Sequence, residues 1–254
     1  MTVRELYERL TERIPEELSE EWDNDGIMCS ANDSAEVSRV LVSLDVTDEI
    51  VDYAEKNGFD TIISHHPLIF RPLKRVSSDC HIARKVMRLL SAGISVLSFH
   101  TRLDKVKGGV NDCLARLLGL TDVQPLGDDC LGRIGRLDCD MMGFDEFSAR
   151  VKSTLGAEHI IISDSYNPVY TVAVVGGDGK DYLKDALEAG ADTFVSGRIS
   201  YNIMEEAAEM GVNLIEAGHY ATEFPVTGFL ANLVRKYDPR IYCEIVPSNV
   251  LRIL

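Results

Sequence analysis

Asn57-Gly58-Phe59-Asp60-Thr61-Ile62-Ile63-Ser64-His65-His66 and Ala189-Gly190-Ala191-Asp192-Thr193-Phe194-Val195-Ser196-Gly197-Arg198 follow one pattern, with Gly, Asp, Thr and Ser at matching offsets. In each, a glycine that can end a helix precedes a short apolar run of the kind that forms a buried strand. Each segment is followed by a helical stretch, a further glycine and a second apolar strand. After that strand comes His100-Thr101-Arg102-Leu103-Asp104 in one half and His219-Tyr220-Ala221-Thr222-Glu223 in the other, both of the form His-x-x-x-acid. Strand, helix and strand repeated in this way imply mostly parallel sheets joined by crossover helices, the signature of the α/β class.

The same rhythm extends outward. Helical periodicity is expected over residues 3–14, 48–57, 78–90, 110–118, 182–189, 201–210 and 223–237. Apolar strands are expected over 39–46, 60–64, 94–99, 171–175, 192–196 and 212–216. The reading is two pseudo-duplicated α/β lobes, residues 1–127 and 128–254, joined near the Gly/Asp-rich stretch Gly127 to Gly132.

With 254 residues, 45% of them hydrophobic, the chain can build a sizeable core. No apolar run approaches the roughly 20 residues that span a bilayer, and the N-terminus has no apolar core of a signal peptide. Cys29, Cys80, Cys113, Cys130, Cys139 and Cys243 form no C-x-x-C pair. Reduced thiols and a cytoplasmic location are expected. The net charge of −15 disfavours binding to a phosphate backbone, since the best basic run, Arg71-Pro72-Leu73-Lys74-Arg75, is short.

Histidines and carboxylates gather after the predicted strands, where α/β sheets place their binding sites. His65 and His66 close one strand, and His100 closes the next, with Asp104 four residues on. His219 and Glu223 follow the strand ending at Glu216, four residues apart, and share a face if that segment is helical. His81 and His159 look incidental. Imidazole plus carboxylate, without thiolate, suits Zn²⁺, Mn²⁺, Fe²⁺, Co²⁺ or Ni²⁺. Two such ions can share a carboxylate and a hydroxide that is nucleophilic at neutral pH.

The strings Ser64-His65-His66-Pro67-Leu68-Ile69-Phe70, His100-Thr101-x-Leu103-Asp104-x-x-x-Gly108-Gly109-Val110-Asn111-Asp112 and Gly218-His219-Tyr220-Ala221-Thr222-Glu223 resemble the type 2 GTP cyclohydrolase I homologues. That family is also called interacting-factor-three-like. Trp22-Asp23-Asn24-Asp25-Gly26 is similar to its N-terminal signature, so the resemblance spans nearly the whole chain.

The resemblance implies a dinuclear metal centre. His66 and Asp104 would hold one ion, His65 and His219 the other, with Glu223 bridging them and His100 close by. It also implies a ring-shaped homohexamer, and this chain matches the compact form without an inserted domain. Activity on a small molecule, a purine nucleotide such as GTP or another phosphoester or amidine, is one implication. A non-catalytic role in metal handling or protein interaction is the other. Arg102 stands where the family often has Asn, and Arg198 and Asn202 replace an acidic residue and a His. These departures spare the expected ligands and bear on substrate identity.

Two features stay open between readings. Val175-Gly176-Gly177-Asp178-Gly179-Lys180 could cradle phosphate or be a plain turn, and Asp178 favours the turn. Trp22, the single tryptophan, could stack on a base beside the site or anchor its loop in the core.

Overall fold

The computed structural model of the protein describes residues 1–138 and 141–252, so Cys139 lies outside the described residues. The chain opens with α1 (Val3–Arg13), β1 (Gly26–Cys29), β2 (Arg39–Ser43), α2 (Asp48–Asn57), β3 (Thr61–Ser64), α3 (His81–Ala92), β4 (Ser95–Ser98) and the short α4 (Thr101–Lys105). Next come α5 (Val110–Leu117), β5 (Leu120–Leu126), β6 (Gly132–Leu137), α6 (Phe144–Leu155), β7 (Ile161–Ser163) and β8 (Thr171–Asp178). They are followed by α7 (Leu183–Glu188), β9 (Thr193–Arg198), α8 (Tyr201–Glu209), β10 (Asn213–Glu216) and α9 (His219–Glu223). The order closes with α10 (Val226–Tyr237) and β11 (Tyr242–Ile245).

These elements form two units with a sheet each. The first comprises Met1–Val106 and Val226–Leu251, and the bulk of the second is Lys107–Pro225. This differs from the single join expected at Gly127 to Gly132. That stretch is the connection of the β5–β6 hairpin inside one sheet. The chain also returns at its end to complete the first unit, which no local pattern announces. The expected helix over 223–237 is likewise two helices. Pro225 has no N–H to donate and crowds the preceding turn, so α9 ends before it and α10 starts after it.

In the first unit the strand order is β1-β4-β3-β2-β11, with every pairing parallel except β1 with β4. All four residues of β3 are buried, consistent with a central parallel strand covered on both faces. Leu41, Ile62 and Val96 pack with Ile50 and Leu89 of the flanking helices. Burying each such side chain contributes about 1.5–3 kcal/mol. The Thr47 side chain caps α2, and Gly58 ends it at a φ of +66°, a left-handed conformation that suits glycine.

In the second unit the order is β5-β6-β8-β9-β10-β7. Its parallel core is β8-β9-β10, flanked by antiparallel β6 and β7. Over both sheets, five of the nine described pairings are parallel.

The repeated sequence pattern has a structural cause. Asp60 Oδ2 accepts the N–H groups of Ser38 and Arg39 at 2.8 and 2.9 Å, where β2 begins. Asp192 Oδ2 accepts those of Tyr170 and Thr171 at 2.9 and 2.7 Å, where β8 begins. Each aspartate thus pins the start of the neighbouring parallel strand and sets its register. No helix of the described residues is long and apolar enough to cross a membrane.

Candidate metal centre

Within the first unit, β3 runs directly into His65 and His66, and β4 runs into Phe99 and His100. Because the two strands pair in parallel register, Ser64 opposite Ser98, their ends deliver the histidines side by side. The ring centroids of His65 and His66 are 4.9 Å apart, and His100 lies 5.3 and 5.7 Å from them. One nitrogen from each ring lies within 4.8 Å of the other two.

Each ring is held by its Nδ1. His65 Nδ1 sits 2.9 Å from the Phe99 carbonyl oxygen. A carbonyl only accepts, so Nδ1 carries the proton and donates it. His66 Nδ1 lies 2.7 Å from Asp45 Oδ1, and His100 Nδ1 lies 2.7 Å from Asp23 Oδ1. An oxygen acceptor at Nδ1 leaves Nε2 as the nitrogen whose lone pair can bind a cation, the usual support for a metal-binding histidine. His65 Nε2 faces Asp104 Oδ1 at 3.6 Å, and Asp104, in α4, is itself buried.

A further layer of bonds fixes these acceptors. The backbone N–H of Asp45 donates to Ser248 Oγ at 3.1 Å, and that hydroxyl donates back to Asp45 Oδ2 at 3.1 Å. Asp23 Oδ2 accepts from the Thr101 backbone N–H at 3.0 Å and its hydroxyl at 2.7 Å. Burial opposes ionisation of Asp23, but the bonds from His100 and Thr101 outweigh it and hold this carboxyl well below the usual carboxylate range. Asp25 accepts from the His100 N–H at 3.2 Å and from Arg102 Nε at 2.8 Å.

Arg102 is fully buried. Its Nη1 donates to the Ile14 carbonyl at 3.2 Å and its Nη2 to the Tyr7 hydroxyl at 3.3 Å, with the guanidinium 4.6 Å from the Phe99 ring centroid. This departure from the family pattern is therefore a brace under the Trp22-to-Asp25 loop. Asp45 and Ser248 were not singled out by sequence reasoning. Asp45 carried one faint signal, its place two residues beyond β2, and Ser248 carried none.

Within the second unit, β10 leads through Gly218 into α9, the second His-x-x-x-acid segment. The helical spacing sets His219 Nε2 2.9 Å from Glu223 Oε2, and the Glu223 side chain is buried. The irregular end of β8 packs against this turn. A Cβ at Gly177, whose φ is +67°, would lie 2.2 Å from Glu223 Oε1, so only glycine lets the strand come this close. The Gly176 N–H donates to Asn111 Oδ1 at 2.7 Å and the Gly177 N–H to Thr222 Oγ1 at 3.1 Å. Those two N–H groups serve packing rather than a phosphate, and the stretch is not the expected plain turn either, since β8 continues through it to Asp178 with a break in register after Val175. Arg198 and Asn202 are exposed, as are His81 and His159.

The donors are imidazole nitrogens and carboxylate oxygens, and no cysteine is among them. Cys29 and Cys243 are buried, and burial pushes both thiols up to about 11, as befits inert core residues. The donor set fits a borderline divalent ion.

A family model described as Duf34/NIF3 (NGG1p interacting factor 3) matches residues 1–251. A Clostridium perfringens protein named GTP cyclohydrolase 1 type 2 homolog is 31% identical over 233 residues, covering 89% of this chain and 88% of its own. A Streptococcus pneumoniae protein of the same name is 31% identical over 259 residues, covering 98% and 97%. Among solved structures, a Bacillus cereus protein related to NIF3 superposes with a TM-score of 0.90 at 23% identity, over 100% of this chain and 99% of that one. At that identity the likeness speaks for the fold alone.

Proposed function

The chain belongs to the Duf34/NIF3 family, and from that premise we propose that it is a divalent-metal-dependent hydrolase of a small, nucleotide-like substrate. The observation that carries the reading is the histidine trio, each ring held by Nδ1 on an oxygen acceptor and one nitrogen of each lying within 4.8 Å of the other two. On the family resemblance, His65, His66, Asp104, His219 and Glu223 are the residues that would hold the divalent ions. Bound divalent ions would supply Lewis acidity and a lowered pKa for coordinated water.

The chain's own groups divide the remaining work. Asp45 and the Phe99 carbonyl keep His66 and His65 in the tautomer that offers Nε2. The Asp23 carboxylate does the same for His100. It also stabilises the imidazolium that forms when His100 Nε2 takes a proton from water, which can then pass to the leaving group. The relatives named GTP cyclohydrolase 1 type 2 homolog support a purine nucleotide as the first substrate to try. Homohexameric assembly is proposed on family resemblance, and light scattering of the purified protein tests it.

Protein loaded in turn with Zn²⁺, Mn²⁺, Fe²⁺, Co²⁺ and Ni²⁺ should turn over at least one member of a panel of nucleotides and phosphodiesters. Glu223→Gln should abolish that turnover with the fold retained. Absence of turnover with every metal, together with rapid metal release to a chelator, would instead support metal handling without catalysis. Anomalous scattering from metal-soaked crystals identifies the ligands directly.

A further inference from the structure

Trp22 is the chain's single tryptophan, and it is 63% exposed. A large aromatic side chain left in water forgoes burial energy that a core position would recover. The core-anchor reading of this residue is thereby set aside, yet its loop is firmly held. The Asp23 N–H donates to the Glu20 carbonyl at 3.0 Å, and the Asp23 carboxylate is fastened by Thr101 and His100. Asn24 Nδ2 donates to the Ile69 carbonyl, which ties this loop to the one carrying Phe70, itself 44% exposed.

The Trp22 and Phe70 rings stand edge to face, with centroids 6.2 Å apart and planes at 74°. Each also meets His100 nearly at right angles, Trp22 at 6.4 Å and 82°, Phe70 at 5.9 Å and 87°. Two exposed rings are thus held as a ledge against the histidine trio by polar tethers. The next residues carry Arg71 and Lys74, both exposed, and Arg75, which pairs with Asp79 at 2.8 Å. In a chain of net charge −15 this is a local reversal of sign.

We propose that Trp22 and Phe70 form a binding subsite for a flat heteroaromatic ring bearing an anionic tail, the ring stacking on Trp22 and the tail drawn to Arg71 and Lys74. The inference rests on the reading of the histidine cluster as the reacting centre, since a ring on this ledge lies beside His100. Stacking suits the ledge because every planar heterocycle presents a π face, and aliphatic ligands gain little from a fixed edge-to-face pair.

The test uses the full chain in excess EDTA, so that ring binding is read apart from metal chemistry. Trp22 fluorescence reports this site alone. Guanosine 5′-monophosphate should quench it saturably, and ribose 5-phosphate should not. By equilibrium dialysis, Trp22→Ala should weaken guanosine 5′-monophosphate binding roughly tenfold or more, while Trp22→Phe, which keeps a flat ring, stays within about threefold. Arg71→Gln with Lys74→Gln should weaken the nucleotide about fivefold and leave guanosine unaffected. Equal binding by Trp22→Ala and the natural chain overturns the proposal, as does ribose 5-phosphate binding as tightly as the nucleotide. So does a Trp22 signal that answers only to protein concentration, which would mean that a second copy covers the ledge. Metal binding by the same chelator-stripped protein, measured separately on Zn²⁺ readdition, shows whether the metal reading itself has failed.

Discussion

His66 is aligned by Asp45, whose carboxylate holds the ring Nδ1 at 2.7 Å and is itself fastened to Ser248, 203 positions later in the chain. A residue near the end of the sequence therefore stands two bonds from an expected metal ligand. Asp45→Ala should lower metal affinity by about 10–100-fold, the usual cost of losing a group that orients a histidine ligand. Ser248→Ala, which leaves Asp45 in place, should cost less. Competition with a chromophoric chelator measures both. Unchanged affinity in Asp45→Ala would show that the tether is incidental.

Glycines at the second His-x-x-x-acid turn permit contacts that a methyl group would block. A Cβ at Gly197 would lie 2.6 Å from the Gly177 carbonyl oxygen and 2.8 Å from the His219 Cα. Backbone cannot swing aside as a side chain can. Gly197→Ala should therefore lose at least about 2 kcal/mol in urea unfolding, in the upper range for single substitutions. At Gly177 the obstacle is the Glu223 carboxylate, and the backbone is left-handed, worth about 1–2 kcal/mol against alanine. Gly177→Ala should reduce metal affinity as well as stability, because Glu223 must move.

Arg102 and Asp25 form a buried ion pair. Removing one partner strands the other charge away from water. Arg102→Leu should cost about 3–5 kcal/mol, and Arg102→Leu with Asp25→Leu should recover a large part of that loss. A lysine cannot reproduce donation to Asp25, the Ile14 carbonyl and Tyr7 together, so Arg102→Lys should fall well short of the natural chain. Denaturant unfolding of the natural chain, Arg102→Leu, Asp25→Leu and the double variant gives the cycle. Additive single effects would mean that the two residues act independently.

Asp238 sits at the end of α10, where Arg240 donates to it from Nε at 2.8 Å and Nη2 at 2.7 Å. Those bonds, the Arg240 N–H and the N-terminal amine hold its carboxyl well below the usual range. A carboxyl depressed in the folded state contributes stability above its unfolded pKa of about 3.9 and loses that contribution as pH falls toward the folded value. The stability gap between the natural chain and Asp238→Asn should be flat above roughly pH 5 and shrink below about pH 4. Urea unfolding across that interval measures it, and a gap that widens on acidification would reverse the sign.

The α/β core could be read from sequence because buried parallel strands such as Thr61–Ser64 and Thr193–Arg198 centre on adjacent apolar pairs, Ile62-Ile63 and Phe194-Val195, set between helices. β5 escaped because Thr121, Asp122 and Gln124 give it a polar face, and Asp122 takes a φ of 50° at its irregularity. α6 was there to be found, with Phe144, Phe147 and Val151 at helical spacing and all buried. The histidines announced themselves by their place after strands. Their supports, Asp45 and the Phe99 carbonyl, did not, because a residue's role as an acceptor depends on what folding brings beside it.

The return of α10 and β11 to the first unit has a consequence for synthesis on the ribosome. The strand Tyr242–Ile245 pairs with Arg39–Ser43, yet it leaves the exit tunnel only after all the residues between them. Until then β2 is left with an open edge, while Lys107–Pro225 has already emerged in full. The middle of the polypeptide can thus mature before its beginning, and a nascent chain stalled short of Tyr242 exposes a sticky rim for chaperones to shield.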